Sequence, residues 1–411
     1  MESRRGDQEI GKAKIEWASR FMPVLSILKA RFSGGRPFEG KRISATLHVT
    51  KETGVLVSTL AAGGAEVFLT PSNPLSTDDD IAAAVDSSGI AVRAWRGMTE
   101  DDYFGAIDWA HSHDPDLLID DGADSIVRAH LGGFAGRRKL FGALEETTTG
   151  VMRVKALETQ GKLKFPVIAI NDAYTKKLLD NRYGTGQSTI DGIIRATSTL
   201  LAGKIVVVGG YGLVGRGIAM RARGLGSEVI VTEVSSLHAL EAVMEGYNVM
   251  RMEEAAEIGD IFITATGNKR VVTTEHMLKM KDRAILANSG HFDVEVDAKA
   301  LYDLAVSSRE VRPNVEEILL PNGKKIILLA HGRLVNLVCA EGHPPDVMDM
   351  SFSNQALCTE FLVKNRPAQA KLMKVPEDID NEVASLKLNS MGIKIDELTE
   401  EQEEYLRSWN I

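Results

Sequence analysis

Cysteine is almost missing from this 411-residue chain: there are two, Cys339 and Cys358. Their spacing matches no metal motif, which argues against a disulfide framework or a zinc cluster and favours a reducing compartment, so the expected location is cytoplasmic. Long apolar runs are missing too. No stretch is long enough to cross a bilayer, and the opening MESRRGDQEIGKAK is charged and lacks an apolar signal core, so neither a membrane span nor an export signal is expected. Basic excess is the third absence. Against 57 Asp and Glu stand 48 Lys and Arg, a formal net charge of −9, which argues against the concentrated basic surface that nucleic acid requires and favours small or neutral partners. What remains is a chain with 44% hydrophobic and 26% charged residues, long enough for two or three domains with well-developed cores.

Short β-branched runs alternate with helical patterns almost throughout, the pattern of parallel sheets built from βαβ units. A first set comprises RISATLHV (42 to 49), AEVFLTPS (65 to 72), IAVRAWR (90 to 96), DLLIDDG (116 to 122) and FPVIAIND (165 to 172). Several of these end in polar residues, His48 and Thr50, Asp120 and Asp121, Asn171 and Asp172, and in open α/β sheets ligands bind beyond the carboxyl ends of strands. A second set runs from KIVVVGG (204 to 210) through SEVIVTE (227 to 233), DIFITATG (260 to 267), AILANSGH (284 to 291) and KIILLAHG (325 to 332).

Residues 210 to 215 read Gly-Tyr-Gly-Leu-Val-Gly between a strand and a helical pattern. In that context Gly210 permits the turn, Gly212 lets the backbone approach a pyrophosphate, Gly215 allows close helix packing, and Leu213 and Val214 open the helix. Glu233 ends the next strand, where a carboxylate accepts from ribose hydroxyls and repels a 2′-phosphate. NAD is therefore expected in preference to NADP. The expected fold class is α/β with two doubly wound parallel-sheet domains, the substrate domain discontinuous around an inserted NAD-binding Rossmann domain. The expected limits are 1–182 plus 345–395 for the substrate domain, 183–344 for the Rossmann domain and 396–411 for a short C-terminal tail, with the region past Pro344 and Pro345 largely helical.

In FPVIAINDAYTKKLLDNRYGTG, Asp172 is a plausible N-cap, which places Lys176 near a helix start and Asp180 on the same face. There, partly desolvated, a lysine loses some preference for its charged form and suits proton abstraction. By themselves, however, Lys176 and Asp180 also fit a solvated surface pair, His48 a satisfied strand-end histidine, and EETTTG (145 to 150) a polar turn with a helix cap.

The motifs LHVTKET (47 to 53), IDDGAD (119 to 124), EETTTG, ND-x-x-TK-x-x-x-DN (171 to 181), GYGLVGRG (210 to 217), NSGHFDVEVD (288 to 297), GRLVNLVCAEGHP (332 to 344) and MSFSNQ (350 to 355) together resemble the S-adenosyl-L-homocysteine hydrolase family, in order over nearly the whole chain. The resemblance implies reversible hydrolysis of S-adenosyl-L-homocysteine to adenosine and L-homocysteine, with one NAD per subunit as an internal redox cofactor, in a homotetramer, with no metal. It implies Lys176 as base for the ribose 3′-hydroxyl, with Asp180, Asn181 and Glu146 on the ribose hydroxyls. It further implies Asp121 for C4′ proton abstraction, His48 for acid/base work at the 5′ carbon, and His291 between substrate and nicotinamide. Thr50, Glu52, Gly342 and His343 would read the adenine, Phe352 would join the substrate contacts, and Thr147, Thr148, Thr149, Gly212, Glu233, His238, Gly267, Ser289, Gly290 and Asn336 would contact NAD.

Four departures from the family pattern stand out. Asp78 occupies a position where glutamine is common, which would perturb the purine end; Thr185 replaces a cysteine near the nicotinamide; His238 replaces an asparagine at the NAD ribose. The chain also stops at YLRSWNI, without the Lys- and Tyr-bearing tail that reaches a neighbouring NAD site in many relatives. The rival readings are an S-inosyl-L-homocysteine hydrolase, which Thr50 and Glu52 disfavour because a carboxylate suits a 6-amino donor, a plain NAD-dependent dehydrogenase, and a catalytically silent regulatory relative.

Overall fold

The computed structural model describes residues 6–132 and 140–409. A first sheet takes β1 (Arg42–Leu47), β2 (Glu66–Pro71), β3 (Ala91–Val92), β4 (Leu117–Asp120), β5 (Gly142–Glu145) and β6 (Val167–Ala169). The second takes β7 (Ile205–Gly209), β8 (Glu228–Thr232), β9 (Asn248–Val249), β10 (Ile261–Thr264), β11 (Ala284–Asn288), β12 (Ser307–Arg312), β13 (Val315–Leu319) and β14 (Lys325–Leu329), after which β15 (Leu372–Lys374) returns to the edge of the first. The first sheet is parallel throughout, in the order β15-β6-β5-β4-β1-β2-β3. Its order reverses between β4 and β1. The second has the order β12-β13-β14-β11-β10-β7-β8-β9, parallel from β14 to β9 and reversing between β10 and β7.

The strands are apolar on both faces because helices cover both faces. In β7, Val206 and Val208 pack into one core while Val207 packs into another. In β5, Leu144 and Ala143 divide in the same way between the two cores of the first sheet. Helix Pro345–Asn365 lies against helices Pro23–Gly35, Lys51–Ala62 and Glu377–Ser390. Among the described residues no helix is long and apolar enough to cross a membrane.

Several strand features, β9 among them, were not foreseen. β5 is not among the strands expected from the sequence: its four residues are all buried in mid-sheet, and the EETTTG turn begins at its last residue. The stretch past residue 345 is not wholly helical, since β15 adds an edge strand. The second sheet is not purely parallel, because β12 and β13 form an antiparallel extension of β14. β12 is exposed at all six residues, so it carries no apolar period to read.

Candidate active site

Both reversals of strand order aim their carboxyl ends at one cleft of about 430 Å³. His48 and Thr50 follow β1, Asp121 follows β4, Glu146 to Thr149 follow β5, and Asn171 follows β6. Gly212 follows β7, Gly267 follows β10, and Ser289 to His291 follow β11. His48, Asp121, Glu146, Lys176, Asp180, Asn181, His291, Thr50, Glu52, His343 and Phe352 all line the cleft, as do Thr147, Thr148, Thr149, Gly212, Leu213, Val214, Gly267, Ser289, Gly290 and Asn336. Gly342, Gly210, Gly215, Glu233 and His238 lie outside its wall.

Lys176 and Asp180 are buried, which removes the surface-pair reading. The Lys176 ammonium lies 2.8 Å from Asp180 and 3.8 Å from Glu146, and donates to Asn181 Oδ1 at 2.9 Å. The local geometry differs from the expected capped helix. Ile170–Asp172 form a 3₁₀ turn, the helix Tyr174–Lys177 is capped by Ala173 without a side-chain bond, and Lys176 sits in its last turn. The electrostatic expectation is corrected with it. Burial alone would lower the Lys176 pKa, but Asp180 and Glu146 outweigh it and hold the ammonium above its ordinary value.

Burial would also raise Asp180, yet His343 and Lys176 hold it well below the carboxylate range. His343 Nδ1 lies 2.5 Å from Asp180 Oδ1, and its Nε2 meets the Thr185 hydroxyl at 3.1 Å. The imidazole assigned to purine recognition is thus engaged with Asp180 at the ribose cluster. Glu146 accepts from Ser351, and from Gln355 at 2.7 Å. Burial pushes it up to about 7.

A second group meets across the cleft. His48 Nε2 is 3.6 Å from Asp121, its Nδ1 is 2.6 Å from the Ser76 hydroxyl, and the His48 and His291 rings are 6.4 Å apart. Ligand atoms of His48, Asp121 and His291 lie within 4.8 Å of one another, a donor set able to move protons or to hold a cation. Burial lowers the His48 pKa to about 4 and also lowers that of His291.

Opposite them is the glycine-rich turn. Gly210 has φ +94, and a Cβ on Gly215 would lie 1.9 Å from the Gly210 carbonyl. A Cβ on Gly212 would meet nothing within 4 Å, so the start of helix Leu213–Gly224 faces open space. Glu233 sits behind the turn. Its carboxylate accepts from the backbone of Tyr211, Val234 and Ser235, and these bonds outweigh burial to lower its pKa. His238, 3.8 Å from Glu233, is partly exposed. Buried Asn336 has an Oδ1 without a hydrogen-bond partner.

Beside Thr50 in the cleft wall, buried Glu52 makes no hydrogen bond through Oε1, which lies 3.3 Å from the Lys51 ammonium, and burial raises its pKa. Asp78 does not reach this cleft. It caps helix Asp79–Ser87 and pairs with Lys14 at 2.7 Å in a neighbouring cavity that Thr50 also lines. Residues missed in the sequence are Asn171, which accepts from Lys176, Asn181 and Thr148, and Thr266, Leu337 and Met348 in the wall. Asn171 carried a signal as a polar strand end in the ND motif; the apolar wall residues carried none.

A Rossmann strand order with its glycine turn, facing a second parallel sheet whose strand ends gather a buried lysine with carboxylates, defines a dinucleotide-dependent α/β enzyme. Known families sharpen this. The chain belongs to the S-adenosyl-L-homocysteine hydrolase family: a model described as "S-adenosyl-L-homocysteine hydrolase, NAD binding domain" matches residues 181–342, and one described as "S-adenosyl-L-homocysteine hydrolase" matches residues 5–139. It is 59% identical over 402 residues to the adenosylhomocysteinase of Sulfurisphaera tokodaii, covering 98% of this chain and 96% of that protein. It is 57% identical over 405 residues to the adenosylhomocysteinase of Aquifex aeolicus, covering 98% and 97%. A Methanocaldococcus jannaschii protein named S-inosyl-L-homocysteine hydrolase is 55% identical over 400 residues, covering 97% and 96%.

Proposed function

We propose that this chain catalyses the reversible hydrolysis of S-adenosyl-L-homocysteine to adenosine and L-homocysteine. The observation that carries the reading is the buried Lys176, Asp180, Asn181 and Glu146 cluster, set in one cleft with Asp121, His48 and the glycine turn. The residues fit NAD: the open approach at Gly212, the orphaned Asn336 oxygen and the Glu233 carboxylate behind the turn match a pyrophosphate, a polar ring substituent and ribose hydroxyls. Gly210, Gly212, Gly215, Glu233, Thr147 to Thr149 and Asn336 would hold NAD, which would supply reversible oxidation at the ribose 3′ carbon, acidifying the C4′ proton so that the thioether could be cleaved by elimination.

Lys176 receives the 3′-hydroxyl proton after passing its own to a neighbour. Glu146, 3.8 Å away and pushed up to about 7, is a better acceptor than Asp180, and the transfer is uphill, so the neutral amine forms only transiently. Asp180 and Asn181 hold the ribose hydroxyls and orient the amine. Asp121 removes the C4′ proton, and His48, neutral at pH 7, orients the leaving sulfur and then the entering water. His291, in the cleft wall, lies between substrate and nicotinamide.

Glu52 decides the purine. Ionised, its Oε1, paired with Lys51 at 3.3 Å, still accepts from a 6-amino group, which favours the adenosyl substrate; protonated, it donates to a carbonyl, which is the feature that keeps the inosyl reading in view. Turnover of the two thioethers compared side by side tests this, and a clear inosyl preference would overturn the adenosyl assignment. We further assign residues 1–182 with 345–395 to substrate, 183–344 to NAD and 396–411 to a short tail. A cytoplasmic homotetramer is the assembly proposed, supported by Met391, Ile395, Leu398, Leu406 and Trp409 standing exposed on one segment. Bound nucleotide identified after release from the purified protein, together with thiol formation without added NAD, tests the whole assignment.

A further inference from the structure

Two buried carboxyls behind Asp121 take no part in the chemistry above. Asp120 ends β4 and Glu145 ends β5, opposite one another in the parallel register, and both are fully buried. Asp120 accepts the N–H of Asp121 at 2.9 Å and that of Ile126 at 2.8 Å. Glu145 Oε1 accepts the N–H of Gly122 at 2.9 Å and that of Thr147 at 3.0 Å. The consecutive amides of residues 121 and 122 are thus held by two different carboxyls, and Glu145 ties the loop after β4 to the threonine turn after β5.

The surroundings leave this tie little slack. A Cβ on Gly150 would lie 2.1 Å from Glu145 Oε1, and a Cβ on Gly122 would lie 2.7 Å from His291 Nε2. On the far side, Arg153 donates to the Gly122 carbonyl and pairs with Asp124 at 2.8 Å. A shift of the 121–122 peptide therefore moves the Asp121 carboxylate relative to His48 and presses on His291.

We propose that Glu145 is a positioning residue for Asp121: by holding the Gly122 amide it keeps the Asp121 carboxylate aimed at the C4′ proton, so its loss slows elimination and spares hydride transfer. This rests on the hydrolase reading above. Burial, with Asp120 and Asp121 adding to it, raises the Glu145 carboxyl well above its ordinary range, so a neutral amide that keeps an acceptor oxygen should serve in its place.

The test uses the NAD-loaded full chain with adenosine and follows two rates: C4′ proton exchange with deuterated water by NMR, and the absorbance change of hydride transfer. Glu145→Ala should slow exchange on the order of a hundredfold, the scale of a misplaced reacting group. Because Glu145 also holds the Thr147 amide in the threonine turn assigned to NAD, the assay is run at saturating NAD, where hydride transfer and the KM for adenosine should stay within about twofold, as expected when only one later step is affected. Glu145→Gln should restore exchange to within about fivefold of wild type, because its oxygen still accepts from Gly122. If Glu145→Ala does not fold, Glu145→Asp, which withdraws the carboxylate by one methylene, should show the same split. The proposal is overturned if hydride transfer falls in step with exchange, if Glu145→Gln is as slow as Glu145→Ala, or if the shortened variant exchanges at the wild-type rate. Failure of the wild-type protein to exchange C4′ at all would instead sink the hydrolase reading itself.

Discussion

Glu146→Gln isolates a single buried proton, and its consequence can be worked from the structure. In the fold the Glu146 carboxyl is pushed from 4.5 up to about 7, burial being the largest cause and Lys176 the main opposing one. The folded state therefore binds this proton more tightly than the unfolded chain does. Wild-type stability consequently falls, relative to a variant with nothing to titrate there, as pH climbs from 4.5 towards 7, and the difference is complete above 7. At about 1.4 kcal/mol per pH unit the gap amounts to about 3 kcal/mol. Glutamine cannot accept from both Ser351 and Gln355 while facing Lys176, and that lost bond adds a pH-independent offset of about 1 kcal/mol. Urea midpoints of the two proteins, each freed of nucleotide and measured between pH 4.5 and pH 8, should diverge in favour of glutamine by about 3 kcal/mol across the range. In turnover, the wild-type kcat/KM profile should carry a limb near pH 7 that the variant lacks. A stability difference constant across this range, or the same limb in both proteins, would refute the placement of the proton on Glu146.

Lys176→Ala should lower homocysteine release by a factor of roughly 10² to 10⁴, the range for a lost acid/base group, and intact turnover would remove Lys176 as the base. Gly215→Ala puts a Cβ against the Gly210 carbonyl, so the glycine turn must move; the purified protein should carry less nucleotide, and unchanged nucleotide content would contradict the assigned cofactor site. The preference for the adenosyl over the inosyl thioether should strengthen with rising pH as Glu52 loses its proton. Glu52→Gln should flatten that dependence, measured as the ratio of kcat/KM values, and a pH-independent wild-type ratio would show that another group reads the purine.

The order of elements was largely legible because both sheets are built from buried parallel strands, whose apolar runs and polar ends are local features. β7 with its glycine turn is the clearest case, since strand, turn and helix announce themselves within fourteen residues. β12 was illegible for the opposite reason: exposed along its whole length, it owes its strand conformation to pairing with β13 and not to any pattern of its own. β5 was hidden because its four residues are too few to show a period and run directly into the threonine turn.

The candidate residues of the site are carried in the sequence at the motif positions that resemble the family: His48, Asp121, Glu146, Lys176, Asp180 and His291 each line the cleft. Their protonation is not. Whether Lys176 loses or keeps its charge depends on a balance between burial and the distances to Asp180 and Glu146, and only the tertiary structure sets those distances. The same holds for His343, whose ring is drawn to Asp180, for Asp78, which turns away to Lys14, and for Asp120 and Glu145, whose carboxyls meet backbone amides that no spacing rule would pair. Residue type and local period are carried along the chain, whereas solvent exclusion and the fields of neighbouring charges arise only when distant segments are brought together.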